Sequence, residues 1–270
     1  MKAALFWHAT SVEARKRLTY RADFWVNALA GFAAQLGIAY FLVDALFDGS
    51  GSASIGGFSR DGMLLYYVSV VFLGKLVRST EMEHTIAQDI YEGGLTRYLL
   101  YPAPYLVFKY AQQLGALAPL AVQIVLFGAW VPFALGLPDG LAVGPGEVAM
   151  CAAALALGNL LQFLLIWPIQ TVAFWADNVW SLMVAYRILS ALLGGMLVPL
   201  SLFPDPARRV LDLLPFRYLF AFPVDALLGR LTPLEWLSGM AVGLAWCAGS
   251  WALGRAVWRR GDRQYTGVGI

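Results

Sequence analysis

VAMCAAALALGNLLQFLLIWPIQTVAFWA, residues 148–176, runs without a single charged side chain. At a rise of 1.5 Å per residue, about 20 apolar residues are enough to cross a hydrocarbon core of about 30 Å. The stretch shows none of the strict alternation of a membrane β-strand, so it reads as a transmembrane helix. Working outward, residues 24–43, 111–135 and 236–254 are also free of charge and long enough. A fifth apolar stretch, about 178–203, is interrupted by Arg187 alone. A sixth begins at Gly62 and meets its first charge at Lys75; it can span only if Lys75 and Arg78 snorkel to the membrane edge. The expected fold is therefore all-α: a polytopic membrane protein with six transmembrane helices, in one domain covering 1–270.

Composition agrees. The chain is 60% hydrophobic and 13% charged, with 10 Trp, 12 Tyr and 16 Phe, and its mean hydropathy is +0.65. Such a balance excludes a disordered chain, a soluble nucleic-acid binder and a disulfide-stapled secreted domain. Cys151 and Cys247 both lie inside apolar runs and read as small packing residues. No internal repeat is visible.

The net charge of +2 says little; the placement of the cations says more. Lys2, Arg15, Lys16, Arg17 and Arg21 precede the first span, Lys75, Arg78, Arg97 and Lys109 lie between the second and third, and Arg255, Arg259, Arg260 and Arg263 follow the last. The opposite side carries only Arg60, Arg208, Arg209, Arg217 and Arg230. This bias puts both termini and the loop 75–110 in the cytoplasm. Residues 3–7 are too few for a signal-peptide core, so the first span is expected to be retained.

The connections differ in kind. Residues 48–61 (DGSGSASIGGFSRD) are a small Gly/Ser loop, and 136–146 (GLPDGLAVGPG) a short turn. Residues 204–232 carry Leu, Phe and Tyr between helix-breaking prolines. Bare backbone cannot face lipid, so this segment is expected to fold back as short helices packed into the outer interface. The segment 1–23 groups Leu5, Phe6 and Trp7 ahead of Arg15, Lys16 and Arg17, which suits a helix lying along the inner surface. In 75–110, Ile86, Ile90, Tyr91, Leu95 and Leu99 recur at helical spacing around Gly93-Gly94. Two short amphipathic helices with a sharp turn at Gly93-Gly94, where glycine accepts a left-handed backbone, follow from that pattern, and Gly94→Val is expected to be damaging if Gly94 is the left-handed residue. A solvated loop needs no such apolar face, whereas a docking surface does.

Four stretches in order, LTYRADFW (18–25), DIYEGGLTRYLLYP (89–102), GGMLVPLSLFP (194–204) and YTGVG (265–269), together with the span order, resemble the permease subunits of ABC-2 type ATP-binding-cassette transporters. The branch with paired permeases served by one separate ATPase is the most similar. The resemblance implies an exporter of the plasma (inner) membrane and two permease subunits, identical or related paralogues, surrounded by membrane lipid. It also implies ABC ATPase subunits docked beneath them. It places a coupling helix on Glu81–Leu100, with Glu81, Glu83, His84, Asp89, Glu92, Gly93, Gly94, Leu95, Tyr98 and Leu99 meeting the ATPase. It makes 204–232 an external re-entrant hairpin. The sequence contains no GxxxxGK[ST] phosphate loop, so no cofactor is expected on this chain, and ATP and Mg²⁺ are expected on the partner ATPase.

Some residues admit two readings. Arg187 could meet an anionic group in a translocation path, or pair with a carboxylate such as Asp177. Gln35 and Gln162 could line that path, or, like Asn159 and Gln170, serve interhelical packing. Glu81 and Glu83 diverge by about 200° on a helix, so they suit a charged docking rim better than an acid/base pair. His8 and His84 lie in different segments without metal-ligand spacing, so no metal or catalytic residue is assigned. Trp167, Trp175, Trp180, Trp236 and Trp258 read as interface anchors. An intramembrane lipid-modifying enzyme would need polar residues converging at one interface. A secondary transporter or channel would favour inverted repeats and carboxylates within spans; Asp44 alone approaches that.

The topology has a direct test. With single cysteines at Ser52 and Gln264, an impermeant maleimide is expected to label the two from opposite sides; labelling from one side refutes the six-span arrangement.

Overall fold

The computed structural model describes residues 3–18, 21–78, 83–135 and 143–265. Among these the regular structure is helical, apart from one isolated bridge between Ile55 and Phe58 in the Gly/Ser loop. The long elements are α1 (Ala3–Leu18), α2 (Arg21–Ser50), α3 (Arg60–Val77), α6 (Tyr105–Leu135), α7 (Pro145–Thr171), α8 (Trp180–Leu193) and α11 (Pro233–Gly261). Between α3 and α6 lie α4 (Thr85–Tyr91) and α5 (Leu95–Leu99), and between α8 and α11 lie α9 (Asp205–Leu213) and α10 (Ala221–Leu227). Local chemistry sets several starts. Ser59 Oγ accepts from the Gly62 amide at 3.2 Å, and Thr232 and Glu235 cap each other reciprocally ahead of α11.

Four helical stretches are long and apolar enough to cross a membrane: Phe24–Ser50, Tyr105–Trp130, Pro145–Phe174 and Pro233–Gln264. The other two expected spans differ from these. With 18 residues α3 reaches about 27 Å, and it is the central helix, with Met63 to Val68, Val70, Phe72 and Val77 all buried. Its hydropathy signal is weakened by Arg60 and Asp61 at one end and Lys75 at the other, not by its apolar middle. Arg60 at its start pairs with Asp44 of α2.

The stretch 178–203 is not one helix. It ends at Leu193, after about 21 Å. The Met196 and Leu197 amides fold back onto the Ala191 carbonyl at 2.9 and 3.1 Å, and Gly195 takes a φ of +85°. The turn is buried: Gly195 accepts from the Tyr66 hydroxyl at 2.7 Å, and the Gly194 carbonyl from the Ala221 amide at 3.0 Å. Apolar composition alone could not separate this turn from a continuing span.

The tightest helix pair is α7 against α11. Gly239, Gly243, Cys247, Ser250, Gly254 and Gly261 form a buried small-residue stripe on α11. A Cβ at Gly254 would lie 2.3 Å from the Trp167 ring, and one at Gly261 2.1 Å from the Phe174 ring, so aromatic rings occupy the stripe. Trp167 is accordingly 4% exposed, and Trp258 contacts it in the core; neither is an interface anchor, whereas Trp175 and Trp180 remain exposed. On the far side, α1 crosses α6 at Gly115, where a Cβ would meet the Thr10 carbonyl oxygen at 2.3 Å. The Thr10 hydroxyl donates to the Ala111 carbonyl at 3.1 Å, and Trp7 points outward.

The segment 204–232 does fold as short helices, but only α9 lies outside, with Val210 and Leu213 exposed. Leu219, Phe220, Phe222, Val224 and Ala226 are each at most 1% exposed and pack into the core beside α3 and α7. The expectation of outer-interface packing therefore fails for its second half: Leu219, Phe220, Phe222 and Val224 are enclosed by protein rather than left at a lipid boundary. Amides of 219–227 are expected to exchange with deuterium far more slowly than those of 49–59; equal rates would contradict this burial.

Candidate functional site

The two short helices of the loop 75–110 form where the sequence puts them, with Gly93 between them at a φ of +69°. The left-handed residue is Gly93, not Gly94, whose φ of −63° and ψ of −20° are ordinary helical values. Ile86, Ile90 and Leu95 are at most 1% exposed and face the bundle. The start of α4 lacks a side-chain cap from its own segment. Instead Gln170, from the end of α7, reaches over, and its Oε1 accepts from the Ile86 and Ala87 amides at 3.0 and 3.3 Å.

Asp89 is the hub. It is 7% exposed and turned inward. Lys109 Nζ lies 2.5 Å from it, the Tyr105 hydroxyl donates to it at 2.7 Å, and Arg97 approaches at 3.5 Å. Tyr98 sits between the two cations, which both donate to its hydroxyl and lie over its ring. That hydrogen bond raises the pKa of Arg97, while burial raises that of Tyr91. Tyr105 stacks on Trp258 of α11 at 5.2 Å, and the Tyr265 hydroxyl accepts from the Thr96 amide at 3.2 Å. Asp89 thus fastens α4 to α5 and α6, rather than offering a charge to a partner.

Glu83 also turns inward. It is 4% exposed and bonds to Arg187 of α8 at 3.0 Å. Arg78, at the end of α3, donates to the Arg187 carbonyl at 2.9 Å and to Ser190 at 3.1 Å, and lies over the Phe220 ring. The counter-ion of Arg187 is therefore Glu83 rather than Asp177, and Glu83 belongs to an internal clamp rather than a docking rim. The buried carboxylate of Glu83 is costly without a counter-ion, and the partly exposed guanidinium of Arg187 supplies it. Gln162 accepts from the Tyr186 hydroxyl at 2.6 Å, and Gln35 lies half-buried on α2 without a polar partner among the described residues. The structure does not bring Gln35, Gln162 and Arg187 together. Asn159 donates to the Leu76 carbonyl at 2.9 Å and accepts from Gln113, which satisfies the end of α3.

Of the other expected docking residues, His84 is half-buried at the start of α4, Glu92 is exposed, Gly93 and Gly94 form the turn, and Leu99 closes α5. Glu81 lies outside the described residues. The outward face is made by Gln88, Glu92, Thr96, Arg97, Leu100 and Tyr101, with Leu100 84% exposed. Sequence reasoning missed Gln170, Lys109, Tyr105 and Tyr265 as partners of this loop. A lone lysine beside tyrosines at the edge of a span was the one available sign of a buried carboxylate.

The family model described as ABC-2 family transporter protein matches residues 33–269. The chain belongs to the ABC-2 transporter family. Among curated proteins, none matches it. The match takes in the whole α4–α5 pair, the Gly194-Gly195 turn and Tyr265, and leaves α1 outside. Members of the ABC-2 family are in general the membrane component of a transporter, served by an ABC ATPase, and this ABC-2 protein is a multi-pass membrane protein.

Truncating Asp89 to Ala leaves Lys109 buried without its counter-ion. A loss of about 3 kcal/mol is expected, since breaking a buried pair from one side costs that much, read as a lower unfolding midpoint in detergent. Adding Lys109→Met to Asp89→Ala is expected to restore much of the loss; an unchanged midpoint for Asp89→Ala would refute the hub.

Proposed function

We propose that this chain is the permease subunit of an ATP-driven exporter in the plasma (inner) membrane, with six spans and both termini cytoplasmic. α3 and α8 complete the set of six with the four long apolar helices. The turn Glu92–Gly94 and the outward face of α4 and α5 dock in a cleft of an ABC ATPase, which carries ATP and Mg²⁺. A second permease subunit, identical or related, faces this one across the translocation path.

One observation carries the reading: an exposed amphipathic helix pair outside the spans is bonded rigidly to three of them. Gln170 ties it to α7, Lys109 and Tyr105 to α6, and Glu83–Arg187 to α8. A pair serving only as a connection would not need so many bonds to the spans. A lever does need them, because motion imposed at its tip must reach the helices that line the path. An intramembrane enzyme is less well supported, since Asp89 and Glu83 are already engaged by cations.

Glu92 is exposed and takes no part in the hub's ion pairs, so it separates docking from folding. Glu92→Lys is expected to reduce co-purification with the ATPase and substrate-stimulated hydrolysis at least tenfold, as for an anchor worth about 2 kcal/mol, with an unchanged unfolding midpoint. Gly93→Val is expected to impair both docking and folding because of its positive φ. Wild-type ATPase binding by Glu92→Lys and by Leu100→Asp together would move the docking surface elsewhere.

A further inference from the structure

A cavity of about 580 Å³ lies between α3, α6, α7 and α10. It runs along α3 from Leu65 to Leu76, a rise of about 16 Å. Gly128 of α6 and Cys151 of α7 form its walls, and Leu228 lies at one end. Among the described residues no charged side chain lines it, and Ser69 is the only lining residue with a side-chain oxygen.

Its possible occupants can be sorted by chemistry. Water needs two to four polar partners, and these walls do not provide them. Apart from Ser69 the lining side chains are hydrocarbon or thiol, which suits an aliphatic chain. The mouth opens on the outside of the bundle: the lining residues Val125 and Val148 are 69% and 50% exposed, and both lie within the charge-free stretches of helices long and apolar enough to span. The medium at that mouth is hydrocarbon.

From this geometry we infer that the cavity is a binding groove for one acyl chain of a membrane lipid, seated lengthwise along α3. The groove lies beside the central helix, so an acyl chain there completes the packing of α3 where α6 and α7 part. The lipid is a resident ligand of this subunit.

Gly128 makes the groove testable, because a Cβ there meets nothing within 4 Å. Gly128→Phe places a ring in the groove without a backbone clash. Gly37→Phe on α2 is the control, since Gly37 also has open space and does not line the groove. The full chain is reconstituted in phosphatidylcholine vesicles containing a phosphatidylcholine with a diazirine midway along one acyl chain, photolysed and mapped by peptide mass spectrometry. In wild type and Gly37→Phe, labelling is expected to concentrate on 65–76, 121–128 and 148–155. In Gly128→Phe it is expected to fall at least fivefold there. Ala152→Leu, from another wall of the groove, serves if Gly128→Phe does not fold. Labelling spread evenly over α2 and α11, or undiminished in the filled variants, would overturn the assignment. So would oxidative dimers of Gly128→Cys without lipid labelling, which would give the groove to a second copy.

Discussion

Everything in this bundle depends on how closely α11 approaches α7. Within hydrocarbon, lipid tails are as apolar as the side chains, so helices gain little from mere apolarity and must gain from contact. The stripe Gly239, Gly243, Gly254 and Gly261 provides that contact by leaving room for Phe222, Leu157, Trp167 and Phe174. Each ring that enters the stripe comes from α7, its 3-10 extension or α10. The approach therefore positions more than two helices. It also sets the end of α7, from which Gln170 projects, and the place of α10 beside α3.

From that end the α4–α5 pair is built outward. A helix as short as α4 is not stable alone, because the first turn fixes several dihedrals for one hydrogen bond. Its first amides are met by an amide of the membrane bundle, and its single carboxylate by a lysine at the start of α6. A buried ion pair is weak evidence of stability, since desolvation offsets most of the attraction, yet it is exacting about geometry. Asp89 has three partners on two elements, α5 and α6, and only one arrangement of α4 satisfies all of them. Specificity of position is what such a hub contributes.

The sequence made the class legible because composition and charge-free length are properties of the chain alone. The short helices of the loop were legible for the same reason: Ile86, Ile90 and Leu95 recur at helical spacing, and a glycine must sit between. What stayed hidden was everything decided by partners distant in the chain. Nothing near Asp89 distinguishes an inward carboxylate from Glu92, three residues on, because its lysine comes twenty residues later. Gly93 and Gly94 are equivalent in composition, and only the hydrogen bonding of the turn decides between them. The break at Gly194-Gly195 was hidden by apolar residues on both sides, and the burial of 219–227 by the assumption that a loop between spans faces out.

The two inward acids divide the work of attachment. Asp89 and Gln170 hold the pair to α6 and α7, which are long and continuous, so that side is a fixed mount. Glu83 holds it to Arg187 on α8, and α8 is short and ends in a turn with left-handed backbone at Gly195. That turn is gripped from α3 by Tyr66 and from α10 by the Ala221 amide. Arg78 bridges the same two regions, bonding to α8 at Ser190 while lying over Phe220 just before α10. α8 is thus tied to the start of the loop helices through Glu83, to α3 through Arg78 and to α7 through the Tyr186–Gln162 bond, so its position is set jointly by the loop and the bundle.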